Sequence, residues 1–180
     1  MHILLIILTV IAGIIALLLI IALFMKKEHY MKREIIINVP RQKVFDYVKL
    51  LKNQDEFNKN AMAGADRTKE FKGTDGTVGY IYAWSGDKNA GVGEKEIKGI
   101  IEGKRIEAEI RFVKPMAVTA TIIMETESVS DNQTRVSWSN GGTLKYPINV
   151  LIPVMEKSVA KDMDSSLLNL KNILEKQSII

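Results

Sequence analysis

KRIEAEIRFV, residues 104–113, alternates apolar and charged side chains with a period of two. Successive side chains of a β-strand point to opposite faces, so a strand here has one apolar face and one charged face. Strands with one solvated face are typical of antiparallel sheets. The apolar face carries Ile106, Ala108, Ile110 and Phe112. The pattern therefore predicts an antiparallel sheet with these four side chains directed towards the core.

Similar alternation recurs on both sides of this strand, interrupted by glycines and by the turn sequence Asp131-Asn132. The glycine-punctuated middle of the chain lacks helical periodicity, which indicates successive hairpins. A continuous β-branched run, EIIINV at residues 34–39, predicts a buried first strand. We expect about seven strands in all. The inner faces of the other strands are assigned to Val78, Tyr80, Tyr82, Trp84, Ala120, Ile122, Met124, Val136 and Trp138.

Two regions have helical periodicity instead. After the first strand, Pro40 opens a helix that continues to about Leu51, and a shorter helix is expected over residues 55–60. Near the C-terminus, a helix from Val154 to Lys176 would be about 34 Å long, enough to cross a sheet. Its apolar stripe comprises Met155, Val159, Met163, Leu167, Leu170 and Leu174. The chain is therefore predicted to be α+β, with a curved antiparallel sheet wrapped on one long C-terminal helix.

An uncharged apolar leader precedes this domain: ILLIILTVIAGIIALLLIIALF, residues 3–24. As a helix it would span about 33 Å, which matches a hydrocarbon core of about 30 Å. We interpret it as a transmembrane helix. A cleavable signal peptide is the competing interpretation. It fits less well, because such peptides have a basic start and an apolar stretch of only about 7–15 residues.

The residues that flank the leader predict its orientation. Four basic residues follow it closely: Lys26, Lys27, Lys32 and Arg33. The positive-inside rule then places the domain on the cytoplasmic face of a cell membrane, attached by a single span. The expected organisation is a transmembrane anchor at 1–25, a basic juxtamembrane stem at 26–33 and a folded domain at 34–180.

Composition excludes several kinds of chemistry. The 180 residues include no Cys, so disulfides, thiolate nucleophiles and sulfur metal ligands are excluded. The two histidines, His2 and His29, both precede residue 34. We therefore expect no imidazole in the folded domain, and hence no Ser-His-Asp triad and no His-ligated metal there. The net charge of +4 comes from interleaved basic and acidic residues, which gives nucleic-acid binding no support.

Six strings carry a family resemblance. They are IIINVPRQKVFDY (35–47), YAWSG (82–86), GVGE (91–94), RFVKP (111–115), TRVSWS (134–139) and the tail from Met155 to Lys171. In this order they resemble the START and birch-pollen-allergen-like helix-grip superfamily, SRPBCC, and most of all its polyketide cyclase/dehydrase and lipid-transport branch. The resemblance implies an apolar cavity between the sheet and the long helix. It implies no single activity, because members include lipid carriers, cyclases and regulatory modules.

Ten residues are candidates for the wall of such a cavity: Phe57, Met62, Tyr80, Tyr82, Trp84, Phe112, Met124, Trp138, Met155 and Met163. Soft apolar side chains with few polar tips suit a flat or flexible hydrophobic ligand. The alternative is that these side chains fill a solid core. Lys95 departs from the apolar pattern, because it shares a strand face with Gly93 and Ile97. Either Lys95 lies at the cavity mouth with the methylene groups of its side chain buried, or the predicted register is wrong by one residue.

The leading functional hypothesis is a membrane-tethered domain that binds a small hydrophobic molecule, lipids included, without a cofactor and without chemistry on it. One alternative is a polyketide cyclase-like or hydrolase-like enzyme in which Tyr80 or Tyr82 donates a proton to a bound substrate. Another is a module that binds a second protein at the membrane. Carboxylates such as Glu107 and Glu109 alternate onto the outer strand face, where a solvated surface explains them better than catalysis does.

Overall fold

A computed structural model describes residues 2–62, 67–86 and 91–177. Its elements, in chain order, are helix α1 (His2–Phe24), strand β1 (Glu28–Ile37), helix α2 (Arg41–Val48), a first 3-10 turn (Leu51–Asn53), helices α3 (Gln54–Phe57) and α4 (Lys59–Met62), strands β2 (Thr68–Lys72), β3 (Ile81–Ser85), β4 (Val92–Ile101), β5 (Arg105–Lys114), β6 (Val118–Ser130) and β7 (Gln133–Thr143), a second 3-10 turn (Ile148–Leu151) and helix α5 (Ile152–Gln177).

The strands form one seven-stranded sheet in the order β1-β7-β6-β5-β4-β3-β2. Every neighbouring pair is antiparallel. Strands β2 to β7 follow one another as hairpins, and β1 closes the sheet against β7. Because the sheet is curved, it holds the long helix α5 on its inner face. The α+β helix-grip architecture expected from the sequence is therefore confirmed.

The alternation in β5 places its side chains as expected. Ile106, Ala108 and Ile110 are buried, whereas Phe112 is 39% exposed. On the outer face, Arg111 donates to Glu94 and Glu96 on β4, at 2.8 Å each, and to Glu109 on β5 itself. The carboxylates of this face therefore form a surface ion-pair network across neighbouring strands, as the solvated interpretation predicts.

Helix α5 presents one apolar stripe to the sheet. Met163, Leu167, Leu170 and Leu174 are buried along it. The helix begins two residues before the predicted start at Val154, and this places Pro153 in its first turn, where a missing N–H costs nothing. The stripe forms one side of the hydrophobic core.

The first strand begins six residues earlier than predicted, at Glu28 rather than Glu34. Residues 28–33, interpreted above as a stem, are paired with β7. Their inward side chains, His29 and Met31, are buried, while Tyr30 points outwards. Basic residues are also typical of the segment that follows a transmembrane helix. For this reason the alternation of inward and outward side chains in residues 28–33 was not recognised as a strand. The expectation of a domain without imidazole is wrong, since His29 belongs to the sheet.

A second correction concerns Val78, which was assigned to an inner strand face. It is 60% exposed, because β3 starts only at Ile81. Gly76 and Gly79 adopt φ values of 77° and 86°, which place the preceding residues in a turn.

The end of α1 is attached to the domain. Asn149 Nδ2 donates to the carbonyl oxygens of Ala22 and Met25, at 2.7 and 3.2 Å. Lys26 forms a 2.8 Å ion pair with Glu156 at the start of α5. Residues 2–21 of α1 are exposed, whereas Ala22 is fully buried. Helix α1 is long and apolar enough to cross a membrane.

Candidate ligand-binding site

A cavity of about 370 Å³ lies between the inner face of the sheet, the first turns of α5 and the segment around α3 and α4. Its volume lies within the usual range for small-molecule sites, about 300–1,000 Å³. The apolar part of its wall comprises Met31, Leu51, Ala61, Tyr82, Trp84, Ile110, Phe112, Val118, Ala120, Ile122, Met155 and Val159. Polar side chains complete it: His29, Gln54, Asp55, Asn58, Asn60, Arg67, Lys95 and Asn140.

Four of the ten residues predicted to form the wall do line this cavity: Tyr82, Trp84, Phe112 and Met155. Five others belong to the solid core and are buried: Phe57, Tyr80, Met124, Trp138 and Met163. Met62 is 48% exposed on α4. Contact of the four wall residues with a ligand stays a prediction.

The difference between wall and core follows from position along α5. Met155 and Val159, in the first two turns, face the cavity. Met163, one turn further on, packs into the core with Phe57 and Trp138, whose rings meet edge to face at 6.4 Å. The space between helix and sheet is therefore filled towards the C-terminal end of α5 and hollow towards the end that adjoins α1.

The sheet contributes three rows of side chains that run across the strands. The first row consists of Tyr82, Lys95, Ile110, Ala120, Gly142 and His29, each paired with the next on the neighbouring strand. A second row passes from Trp84 through Gly93 and Phe112 to Val118. The third runs from Ile122 through Asn140 to Met31. Since directly paired residues point to the same face, these rows define the cavity floor.

Trp84 occupies its place because Gly93 lies opposite it. A Cβ at Gly93 would approach Trp84 Cζ2 to 2.6 Å and the carbonyl oxygen of Arg111 to 2.7 Å. The indole also meets the ring of Phe112 edge to face, with centroids 5.6 Å apart. Its Nε1 is buried without a hydrogen-bond partner among the residues that the structure describes. The aromatic wall thus carries an unused N–H donor.

Lys95 is 8% exposed and lies inside the cavity, which shows that the predicted register of β4 is correct. Its Nζ donates a hydrogen bond to Gln54 Oε1 on α3. Burial lowers the pKa of Lys95 from its ordinary 10.5 to about 8, against the opposing effect of Asp55. The side chain is buried more completely than the expected mouth position would require.

Asp55 is the carboxylate whose charge raises the pKa of Lys95, and both of its oxygens have partners. Tyr82 donates its hydroxyl to Oδ1 at 2.6 Å, and Lys69 Nζ lies 2.8 Å from Oδ2. Burial and this hydrogen bond raise the pKa of Tyr82 above its usual range. Tyr80, the other candidate proton donor, does not line the cavity, and burial raises its pKa to about 12. Neither tyrosine is poised to protonate a ligand.

His29 closes the cavity at the opposite edge of the sheet. It is 5% exposed, and its Nδ1 has no hydrogen-bond partner in the described part of the chain. Burial lowers the pKa of His29, and Glu156 opposes that effect. A Cβ at Gly142 would lie 3.0 Å from His29 Nε2, so the glycine leaves room for the ring. Burial therefore favours the neutral form of this imidazole.

Sequence reasoning identified Lys95 but missed His29, Gln54 and Asp55, for two reasons. His29 was assigned to a stem outside the domain. Gln54 and Asp55 occupy a one-turn helix, α3, whose inward face has too few residues to show a period. Within residues 2–62, 67–86 and 91–177, no group of three or more His, Cys, Asp or Glu could hold a metal ion.

Three comparisons with known proteins were made, and only the comparison with solved structures found matches. No family model matches the chain, and neither does any curated protein.

Solved structures do resemble it. Protein MLL2253 from Mesorhizobium loti has 13% identity and a TM-score of 0.62, covering 82% of this chain and 98% of its own. The Aha1 dimer from Colwellia psychrerythraea has 16% identity and a TM-score of 0.56, covering 82% and 96%. Ara h 8.0201 has 18% identity and a TM-score of 0.53, covering 79% and 98%. At such identities the likeness establishes the fold alone, and that fold is of the helix-grip type.

Proposed function

We propose that this protein binds a small hydrophobic molecule in the cavity while α1 tethers the domain to a membrane. The observation that carries the proposal is the 370 Å³ cavity with its mostly apolar wall and a few convergent polar groups. Fold neighbours of the birch-pollen-allergen type are consistent with a hydrophobic ligand. Lipids, which partition into bilayers, belong to this class of ligand.

The position of the cavity supports the proposal that α1 tethers the domain with its cavity close to the membrane. His29 lies five residues after Phe24, the last residue of α1. An extended segment of that length reaches about 17 Å, so one wall of the cavity lies within that distance of the end of α1. Met155, on the opposite wall, is next to Glu156, which pairs with Lys26. If α1 spans a bilayer, the hollow end of the domain is the end nearest to the lipid.

Binding without chemistry is favoured over the enzyme alternative. The polar groups that a cyclase-type reaction would use are engaged with one another. Tyr82 donates to Asp55, and Lys95 donates to Gln54. A general acid must direct its proton at the substrate, and the hydroxyl of Tyr82 directs its own at a carboxylate.

The orientation in the membrane is also part of the proposal. Lys26 and Lys27 follow α1 directly, and Lys32 and Arg33 lie on β1. The positive-inside rule places them, and hence the domain, on the cytoplasmic side. A reporter that is active only in the cytoplasm, fused after residue 180, should be active. Activity of a reporter that requires export, fused at the same position, would reverse the assignment.

A titration with a neutral fluorescent probe tests the binding proposal. The full chain in lipid nanodiscs is titrated with N-phenyl-1-naphthylamine, and empty nanodiscs serve as the reference. Ala120 lies on the cavity floor, and Thr121 points to the other face of the same strand. Ala120→Phe should weaken probe binding at least tenfold, whereas Thr121→Phe should leave it unchanged. Equal binding by both variants, with both folded, would contradict a ligand in this cavity.

A further inference from the structure

The strongest unexplained feature of the cavity is a buried cation on an apolar floor. Lys95 lies between Gly93 and Ile97 on the inward face of β4, and its paired neighbour on β5 is Ile110. Its one hydrogen-bond partner among the described residues is the neutral amide oxygen of Gln54. A buried ammonium group without a paired carboxylate is costly, so such groups are normally found with a counter-ion.

No carboxylate of the described chain forms an ion pair with this lysine. Asp55 is near enough to raise its pKa, yet both oxygens of Asp55 are already engaged, one with Tyr82 and one with Lys69. The ion-pair partner of Asp55 is thus Lys69, and Asp55 acts on Lys95 only through its charge. Arg67 adds a further positive charge to the wall, and its Nη2 donates to a backbone oxygen, that of Asn60, rather than to an acid. This end of the cavity therefore has an excess of positive charge.

At the opposite end of the same floor lies His29, whose neutral form is favoured by burial. From Lys95 the row crosses Ile110, Ala120 and Gly142 to His29, whose pKa is lowered by burial. Neighbouring strands lie about 4.8 Å apart, so four steps across the sheet span about 19 Å. Between the two ends this row has no polar side chain. The cavity is therefore polarised along one axis, with a cation at one end and an elongated apolar trough beyond it.

We propose that the cavity selects single-chain amphiphiles with an anionic head group, which pairs with Lys95 while the chain lies across β5 and β6 towards His29. This inference rests on the proposed function and specifies its ligand class. The anion supplies the counter-charge that Lys95 lacks, and a hydrogen bond to a charged group is about twice as strong as a neutral one. The unpartnered Nε1 of Trp84 offers a second donor on the same wall.

The chemistry that Lys95 recognises is shared by a carboxylate and by a phosphate monoester. The test therefore compares three ligands that each carry an eight-carbon alkyl chain, namely nonanoate, octyl phosphate and octan-1-ol. Each is titrated calorimetrically into the full chain in nanodiscs, with empty nanodiscs as reference. At least one of the two anions should bind about tenfold or more tightly than the alcohol. Which of them does so identifies a free acid or a phosphorylated lipid as the source.

Two variants on β4 test whether Lys95 is the residue responsible for the preference for anions. Lys95→Met keeps the length of the side chain and removes the charge, and should abolish the preference for the anion. Lys98→Met removes a charge from a residue whose side chain is 42% exposed and pairs with Glu96, and should preserve it. Equal affinity of the native chain for octanol and both anions would overturn the inference, and so would a preference that persists in Lys95→Met.

The design separates the two proposals. If the native chain binds the neutral naphthylamine but none of the three octyl ligands, the anion inference fails and the cavity proposal stands. If it binds neither the naphthylamine nor any octyl ligand, the proposed function itself is wrong.

Discussion

The hydroxyl of Tyr82 donates a 2.6 Å hydrogen bond to Asp55 Oδ1 and so joins β3 to α3 in the wall of the cavity. Since Lys69 holds the other oxygen of Asp55 at 2.8 Å, one carboxylate connects two strands to the short helix that covers them. This connection fixes one edge of the cavity and leaves Lys95 without a carboxylate of its own.

Removing that hydroxyl should cost stability and leave binding intact. Tyr82→Phe deletes a hydrogen bond to a charged group, which contributes about 1.5–3 kcal/mol. The side chain of Asp55 is 25% exposed, and screening by solvent places the expected loss near the lower bound. Urea unfolding of the full chain in nanodiscs, followed by tryptophan fluorescence, measures it. Affinity for the naphthylamine should change less than threefold. A loss of tenfold or more would show that the hydroxyl contacts the ligand.

Stability should depend on pH through Lys95. Its pKa is about 8 in the folded chain against an ordinary 10.5, so between these values the unfolded chain binds more protons. The free energy of unfolding therefore rises with pH across that window. Below about pH 8 the ligand-free protein carries a penalty on the order of 3 kcal/mol, which disappears above about pH 10.5.

Lys95→Met should remove this dependence. At pH 7 the ligand-free variant should be more stable than the native chain, with a gain that shrinks as the pH approaches 10. Unfolding of both proteins in urea at a series of pH values provides the comparison. Parallel stability curves for the two proteins across the window would show that Lys95 is not the responsible group.

Gly93 should be intolerant of a side chain. Gly93→Ala places a methyl group 2.6 Å from Trp84 and 2.7 Å from a backbone oxygen, so the indole must move. Overpacking of this kind costs about 1–3 kcal/mol. Gly99→Ala, on the same strand, is the matched control, because its nearest neighbour would be 3.8 Å away. Probe affinity and unfolding midpoint should both fall in the first variant alone. Equal effects of the two substitutions would contradict the proposed role of Gly93.

Asn149 should determine how firmly the domain is held to α1. Asn149→Ala removes both hydrogen bonds to the carbonyl oxygens of Ala22 and Met25. We expect hydrogen exchange of the amides of residues 26–30 to accelerate about tenfold, which corresponds to roughly 1.4 kcal/mol of local stability. Asn169→Ala, which removes a 3.2 Å bond to Phe57, serves as control and should leave those amides unchanged. Unaltered exchange in Asn149→Ala would contradict a rigid junction.

The sequence was informative where a pattern repeats over several residues. The period of two in β5 identified the inner face, and the stripe on α5 identified the helix and its buried side. Lys95 was correctly placed on the inner face of β4 by the same argument. Each of these elements is long enough for a buried face to appear as a regular spacing.

Other features depend on tertiary position and have no local signal. Met155 and Met163 belong to one stripe, yet the first faces the cavity and the second the core, because core side chains fill the space beside the later turns of α5. The strand character of residues 28–33 was obscured by charges typical of a membrane flank. Asp55 acquires its role from Tyr82, which is 27 residues away in the chain.

Native mass spectrometry of the full chain, released from detergent micelles, tests the central claim most directly. We expect an additional mass on the native chain, either a co-purified hydrophobic molecule or one equivalent of added naphthylamine. This mass should be absent from Ala120→Phe and present on Thr121→Phe. A native chain that carries no bound mass and takes up none on titration would contradict the account.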